Sequence, residues 1–117
     1  MAERRNTLGN GEWLLTGQSL FSTDGTVEFK AQGDGKVAIY VNSSCVFQNT
    51  AEQRQDVKGV KMQEDGNLVL YDNNGKALWH TDTAAGKGDS TTILAVQNDG
   101  NCVLYKGTPI WSSKTNK

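Results

Sequence analysis

Three stretches of the chain carry similar hydrogen-bonding side chains at the same spacing. Each begins with Gln, at positions 32, 63 and 97, has Asp two residues later and ends in Tyr; the second and third copies also contain Asn and Val between Asp and Tyr. Carboxylate, amide and phenol groups together donate and accept hydrogen bonds, as sugar hydroxyls do. The valine offers an apolar contact for the C–H face of a sugar ring. The spacing therefore predicts carbohydrate sites in the two intact copies.

The intact copies supply the candidate sugar-binding residues, which are Gln63, Asp65, Asn67, Val69, Tyr71, Gln97, Asp99, Asn101, Val103 and Tyr105. The copy at 32–40 is degenerate and comprises Gln32, Asp34, Lys36, Ala38 and Tyr40. Lys36 stands where the intact copies have Asn, and Ala38 stands where they have Val. We expect Lys36 to pair with Asp34, occupying the acceptor that a sugar hydroxyl needs. Two working sites and one damaged site are predicted.

The elements that must position these residues are β-strands. Apolar residues alternate before each copy, and after each copy a turn leads to an apolar–aromatic pair, at Val46-Phe47, Leu78-Trp79 and Ile110-Trp111. Alternation bounded by Gly, Asn and Asp is typical of strands, so the chain is predicted to be all-β, with an antiparallel sheet for each repeat. Continued through a whole copy, the alternation places its candidate residues on one face. The aromatic residues of the three pairs are expected to meet in a shared core, whereas Trp13 could fill that core or anchor a partner chain.

Composition and charge narrow the function. The net charge is −1 and basic residues do not cluster, which argues against nucleic-acid binding. No apolar run is long enough to cross a membrane. The start of the chain lacks the apolar stretch of a signal peptide, so a cytoplasmic or non-classically secreted protein is expected. Cys45 and Cys102 are predicted to be free thiols in a reducing compartment. We expect neither a metal ion nor a cofactor, and no catalytic residues are assigned.

The repeated Gln-x-Asp-x-Asn-x-Val-x-Tyr pattern resembles that of the bulb-type mannose-binding lectins of monocot plants and their relatives in other organisms. The resemblance covers nearly the whole chain and implies a single domain, 1–117, folded as a β-prism II. That fold has three four-stranded antiparallel sheets with pseudo-threefold symmetry. The resemblance also implies a homodimer formed by exchange of the C-terminal strand.

The resemblance assigns a role to each kind of motif residue. The Asp and Asn of each intact copy would contact the axial 2-hydroxyl of mannose, Gln the 3-hydroxyl and Tyr the 4-hydroxyl, while Val would pack on the sugar ring. The expected partners are mannose-containing glycans. The alternative to a lectin is a sugar-blind β-prism, which binds no sugar and uses its surface for protein contacts. A toxin or bacteriocin module is a further alternative.

Overall fold

The computed structural model describes residues 5–49, 53–81, 92–106, 108–113 and 115. These residues form twelve short β-strands. Their bounds are β1 Thr7–Leu8, β2 Trp13–Leu15, β3 Ser19–Phe21, β4 Val27–Ala31, β5 Val37–Val41, β6 Ser44–Gln48, β7 Val57–Met62, β8 Leu68–Asp72, β9 Ala77–His80, β10 Ile93–Val96, β11 Cys102–Lys106 and β12 Thr108–Ser112. Within this described part of the chain, no helix has the length and hydropathy needed to span a membrane.

The strands form three four-stranded antiparallel sheets, one for each repeat. The first sheet has the order β3-β4-β5-β6, the middle sheet β2-β7-β8-β9 and the third sheet β1-β10-β11-β12. Every strand pairing is antiparallel. The predicted fold class, an all-β prism of three four-stranded sheets, is confirmed.

The inward faces of the three sheets meet in one apolar core. Alternation is clear in β4, where Val27, Phe29 and Ala31 are buried and the residues between them are partly exposed. At the junction of the sheets, the rings of Phe47, Trp79 and Trp111 pack edge to face, with pairwise centroid distances of 6.3, 6.4 and 6.4 Å. The predicted meeting of the three aromatic residues is confirmed, although each remains partly exposed.

The first strand of each sheet comes from the N-terminal part of the chain. Strands β1, β2 and β3 lie within residues 7–21, yet they join the third, middle and first sheets respectively. Leu8, Leu14 and Leu20 place one buried side chain from each of these strands in the core. The N-terminal segment therefore supplies an edge strand to all three sheets.

The last strand completes the third sheet within the same chain. Strand β12 pairs with β11, with Trp111 opposite Leu104 and Ser112 opposite Val103. Both cysteines are free thiols, as predicted, with Cys45 exposed and Cys102 buried. Burial raises the pKa of the Cys102 thiol to about 12.

Candidate functional site

Each copy of the motif bends the chain between the two central strands of a sheet. In the middle sheet residues 63–67 connect β7 to β8, and the N–H of Gln63 donates to the carbonyl of Asn67 at 2.9 Å. Gly66 has a φ of 88°, a left-handed conformation that glycine adopts without strain. Strand alternation through the whole copy is therefore wrong for its first half, which is a tight loop. The loop brings its polar side chains beside those of β8.

The aspartate of each intact loop is held by one carboxylate oxygen. Asp65 Oδ1 accepts the backbone N–H of Asn67 at 3.0 Å, and Asp99 Oδ1 accepts that of Asn101 at 2.9 Å. Asp65 is half-buried and Asp99 is exposed, so both carboxylates reach solvent. Among the described residues, the second oxygen of Asp65 makes no hydrogen bond. That oxygen can accept a hydrogen bond from a ligand hydroxyl.

A glutamine and a tyrosine form the second part of each intact site. The side-chain amide of Gln63 donates to the Tyr71 hydroxyl, and that of Gln97 donates to the Tyr105 hydroxyl. In this arrangement the tyrosine keeps its own proton to donate, and the glutamine keeps its carbonyl oxygen to accept. Each pair therefore offers a ligand one donor and one acceptor on a fixed framework.

The asparagine is oriented by hydroxyl groups at the end of the fourth strand. Asn67 Oδ1 accepts the Thr81 hydroxyl at 3.2 Å, and Asn101 Oδ1 accepts the hydroxyls of Ser112 at 2.6 Å and Ser113 at 3.0 Å. Because hydroxyl groups donate to Oδ1, the orientation of each side-chain amide is fixed, and with it the direction in which Nδ2 can donate. Within the described residues, Asn101 Nδ2 has no partner, so it can donate to a ligand.

The valines occupy the floor of the sites. Val69 and Val103 are each only 3% exposed, and Ala38 in the first sheet is fully buried. The sequence predicts an apolar surface on which a sugar ring rests. The structure limits that contact to the exposed edge of each valine, because cross-strand neighbours such as His80 and Ser112 flank the position.

The degenerate copy uses its aspartate differently from the way the sequence predicts. The contact of Lys36 with Asp34 is made by its backbone N–H, at 3.0 Å, and within the described residues its ammonium makes no ion pair with that carboxylate. Instead, Gln32 Nε2 donates to both oxygens of Asp34, at 3.2 and 3.4 Å, and Gln53 Nε2 approaches at 3.5 Å. Tyr40 then donates to the Gln32 carbonyl oxygen. The side chains of Gln32 and Gln53 and the backbone N–H of Lys36, not the Lys36 ammonium, occupy the acceptors of Asp34.

Two residues near the middle site were not assigned to it from the sequence. Trp13 lies outside the core and packs against Tyr71, with ring centroids 5.7 Å apart. His80 is exposed, and its Nδ1 lies 3.3 Å from Asn67 Nδ2. Neither belongs to the repeated motif, so only the pairing of β2 and β9 with their neighbours reveals them. Thr50, the hydroxyl residue that follows Val46-Phe47 in the sequence, lies outside the described residues, and Asn49 takes the position of Thr81 in the first sheet.

The chemistry of the site suits a ligand that carries several hydroxyl groups. The described residues contain no group of three or more His, Cys, Asp or Glu side chains that could hold a metal ion. Asp65 and Asp99 lie in loops of different sheets, which does not form the paired carboxylates of a glycosidase. The arrangement provides fixed donors and acceptors in two equivalent places.

Comparison with known proteins finds relatives that are all lectins, although no protein-family model matches the chain. The B-type lectin plumieribetin of Scorpaena plumieri is 40% identical over 116 residues, covering 96% of this chain and 97% of the relative. A monomeric monocot mannose-binding lectin of Gastrodia elata superposes with a TM-score of 0.83 at 32% identity, covering 96% of this chain and 99% of the other. The mannose-specific agglutinin of snowdrop, Galanthus nivalis, solved with methyl-α-D-mannoside, gives 0.75 at 29% identity, with 96% and 98% covered.

Proposed function

The chain belongs to the bulb-type mannose-binding lectin family, and on this premise we propose that it binds mannose-containing glycans without a metal ion. The relatives are lectins, and the protein is not an enzyme. The observation that carries the proposal is the repetition of one polar framework in two sheets. Each has an aspartate fixed through one oxygen, a Gln–Tyr pair and an asparagine oriented by hydroxyls.

We assign the middle and third sheets one working site each. In the middle site, Asp65 accepts from the axial 2-hydroxyl of mannose and Asn67 also contacts it, while Gln63 and Tyr71 contact the 3- and 4-hydroxyls. Asp99, Asn101, Gln97 and Tyr105 take these roles in the third site. Val69 and Val103 contact the edge of the ring. Mannose differs from glucose in its axial 2-hydroxyl, so contacts with that group would give the selectivity.

The first sheet is proposed not to bind mannose. Its Asp34 carboxylate already accepts hydrogen bonds from Gln32 and Gln53, so a sugar hydroxyl would have to displace them. Lys36 provides no side-chain amide, and Ala38 is smaller than valine and fully buried. This sheet therefore lacks a free acceptor, the second amide and the apolar edge.

Retention on immobilised mannose tests the two-site proposal. We expect the wild-type protein to bind in the presence of a chelator and to elute with methyl α-mannoside. The combined substitutions Asp65→Asn and Asp99→Asn keep one oxygen for each loop but remove the acceptor offered to the sugar, so retention should be lost. Asp34→Asn is the matched control and should be retained like wild type.

Three results would contradict the proposal. Retention of the Asp65→Asn, Asp99→Asn variant would place the sugar elsewhere, and loss of wild-type retention in chelator would indicate a metal-dependent site. Folded wild-type protein that never binds mannose would favour the sugar-blind protein-interaction module. Circular dichroism of each variant establishes that the fold is intact before its retention is compared.

We also propose that two copies associate by exchanging β12. The hydrogen bonds that β12 makes with β11 of its own chain can equally be made with β11 of a second copy, which is the general basis of strand exchange. The relative from Gastrodia elata is described as monomeric, so the assembly of this chain needs its own measurement. The location in the cell, cytoplasmic or non-classically secreted, stays a prediction.

A further inference from the structure

The middle sheet carries a cleft that shares two residues with its candidate mannose site. The cleft has a volume of about 290 Å³, and Gln63 and Tyr71 are among the residues that line it. Its other walls are formed by Trp13, Lys58, Lys61, Asp72, Asn73 and Gly75. Because the two sites share Gln63 and Tyr71, a saccharide held by these residues would lie beside the cleft.

The ammonium groups of two lysines lie close to the indole ring of Trp13. Lys58 Nζ lies 4.4 Å from the ring centroid and Lys61 Nζ lies 5.7 Å from it, which is within the range of cation–π attraction. Neither lysine forms an ion pair with any described residue. The ring therefore holds two positive charges beside the cleft without neutralising them.

The carboxylate in the cleft wall does not cancel these charges, because its oxygens have other partners. Asp72 is 4% exposed, and its Oδ1 accepts the backbone N–H groups of Asn74 and Lys76 at 2.9 and 2.8 Å. Its Oδ2 lies 3.7 Å from a guanidinium nitrogen of Arg54. The charge that remains available to a ligand in the cleft is positive.

A β-bulge found in the middle sheet places Lys58. The β7–β8 pairing shifts register between Val57 and Gly59, so Lys58 is an extra residue in the strand, whereas the equivalent pairings β4–β5 and β10–β11 are regular. Bulges redirect side chains and occur often beside functional sites. A side chain at Gly59 would come within 2.3 Å of the Leu14 carbonyl oxygen, so the bulge depends on glycine.

The other two sheets lack the combination of residues that forms this cleft. Strand register places Ser19 and Thr7 where the middle sheet has Trp13. Opposite the motif tyrosine, the middle sheet has Gly59, whereas the first and third sheets have Glu28 and Ile93. Space beside Tyr71, an aromatic ring and two cations therefore occur together in one sheet.

We propose that this cleft is a subsite for the acidic group of a charged saccharide, namely a phosphate, sulfate or carboxylate attached to the mannose unit. The inference rests on the proposed mannose site. When the sugar is oriented as proposed for the middle site, its 4-hydroxyl faces Tyr71. The ring carbon next to C4 is C5, which carries the exocyclic carbon C6, and C6 can project beyond the ring. An acidic group on C6 would enter the cleft between the ammonium groups of Lys58 and Lys61.

Binding of three acidic sugars, compared with methyl α-mannoside, tests the subsite. Mannose 6-phosphate and mannose 6-sulfate carry an anionic ester on the 6-oxygen, whereas C6 of mannuronate is itself a carboxylate. At low salt we expect at least one to bind about threefold to tenfold more tightly than methyl α-mannoside, the range for two solvent-exposed charge pairs. The gain should shrink as salt rises from about 0.01 M to about 1 M, where the Debye length falls from about 30 Å to about 3 Å.

Substitutions then separate the two sites. Lys58→Gln combined with Lys61→Gln should remove the gain while leaving methyl α-mannoside affinity within about twofold, the usual effect of a surface change. Lys30→Gln is the matched control for Lys61→Gln, because Lys30 occupies the equivalent register position in the first sheet. It should preserve the gain.

Each result that would contradict the expectation leads to a different conclusion. If methyl α-mannoside binds and none of the acidic sugars binds more tightly, the subsite proposal is wrong and the mannose site stands. If no sugar binds at all, both proposals fail. If inorganic phosphate alone binds as tightly as mannose 6-phosphate, or if the double lysine variant keeps the gain, the cleft is not a subsite of the glycan.

Discussion

Asn49 shows at the scale of one residue what the first repeat has lost. Asn49 Oδ1 accepts the N–H of Val37, as the hydroxyls of Thr81 and Ser113 accept equivalent N–H groups in the other sheets. Those hydroxyls also donate to the asparagine of the motif, but the first repeat has Lys36 at that position. Asn49 Nδ2 is buried and has no hydrogen-bond partner among the described residues. The unpaired donor is therefore explained by the missing amide acceptor.

Restoring that amide should stabilise the protein. Lys36→Asn gives the buried Asn49 donor an acceptor, and we expect the free energy of unfolding to rise by about 1 kcal/mol, the usual net value of a hydrogen bond. Urea denaturation measures the change. Lys36→Gln is the control, because it removes the same charge but extends the amide beyond the position of the asparagine. Equal stability of the two variants would contradict this account.

The candidate site residues could be selected from the sequence, but their contacts could not. The repeated spacing alone selects Asp65, Asn67 and their counterparts. Whether Asp34 is blocked by Lys36 or by Gln53 depends on how a loop outside the motif packs, and no local pattern records this. The contact of Trp13 with Tyr71 likewise depends on the pairing of β2 with β7.

At the scale of the elements, the N-terminal strands limit what the sequence can show. Alternation in β4 spans enough residues to be recognised, whereas β1, β2 and β3 contain only two or three residues each. So short a segment has no measurable period, and its structure comes from the sheet edge that it joins. The N-terminal edge strand of each sheet was accordingly expected from the family resemblance and not from the residues.

Strand β2 offers a direct test of whether an N-terminal edge strand is fixed against the core. Leu14 is 1% exposed and its neighbour Leu15 is 42% exposed, so the same substitution samples both faces of one strand. We expect Leu14→Ala to lower the free energy of unfolding by about 2–5 kcal/mol, through lost burial and a residual cavity. Leu15→Ala should change it by about 0.5 kcal/mol or less. Similar losses for both variants in urea denaturation would mean that β2 is not fixed against the core.

At the scale of the whole molecule, the two intact sites lie on different sheets that share one core. A shallow site with four or five hydrogen bonds is expected to bind one monosaccharide at about the millimolar level, near −4 kcal/mol. Several sites on one rigid particle raise the effective affinity for a surface that carries many glycans, provided that the sites can be occupied together. The number of sites on the particle therefore matters more than the strength of each one.

The proposed homodimer would carry four working sites, two from each chain. We expect full-length protein to sediment as a dimer at micromolar concentration and to agglutinate cells that display mannose. Deleting residues 109–117 removes most of β12 and with it Trp111, one of the three packed aromatic residues, so the product should be poorly folded or monomeric and should not agglutinate. A full-length monomer would refute strand exchange, and agglutination would then require another source of valence.

The N-terminal edge strands also determine the order in which the three sheets can be completed while the chain is being synthesised. Ser19 pairs with Lys30 shortly after it is made, Trp13 must wait for Lys61, and Thr7 must wait for Ala95 near the other end of the sequence. These pairings are nested, and long-range pairings form slowly because the intervening chain must first be brought together. The sheet that is proposed not to bind mannose is thus the first that a nascent chain can complete. The third sheet, with its intact motif, closes last.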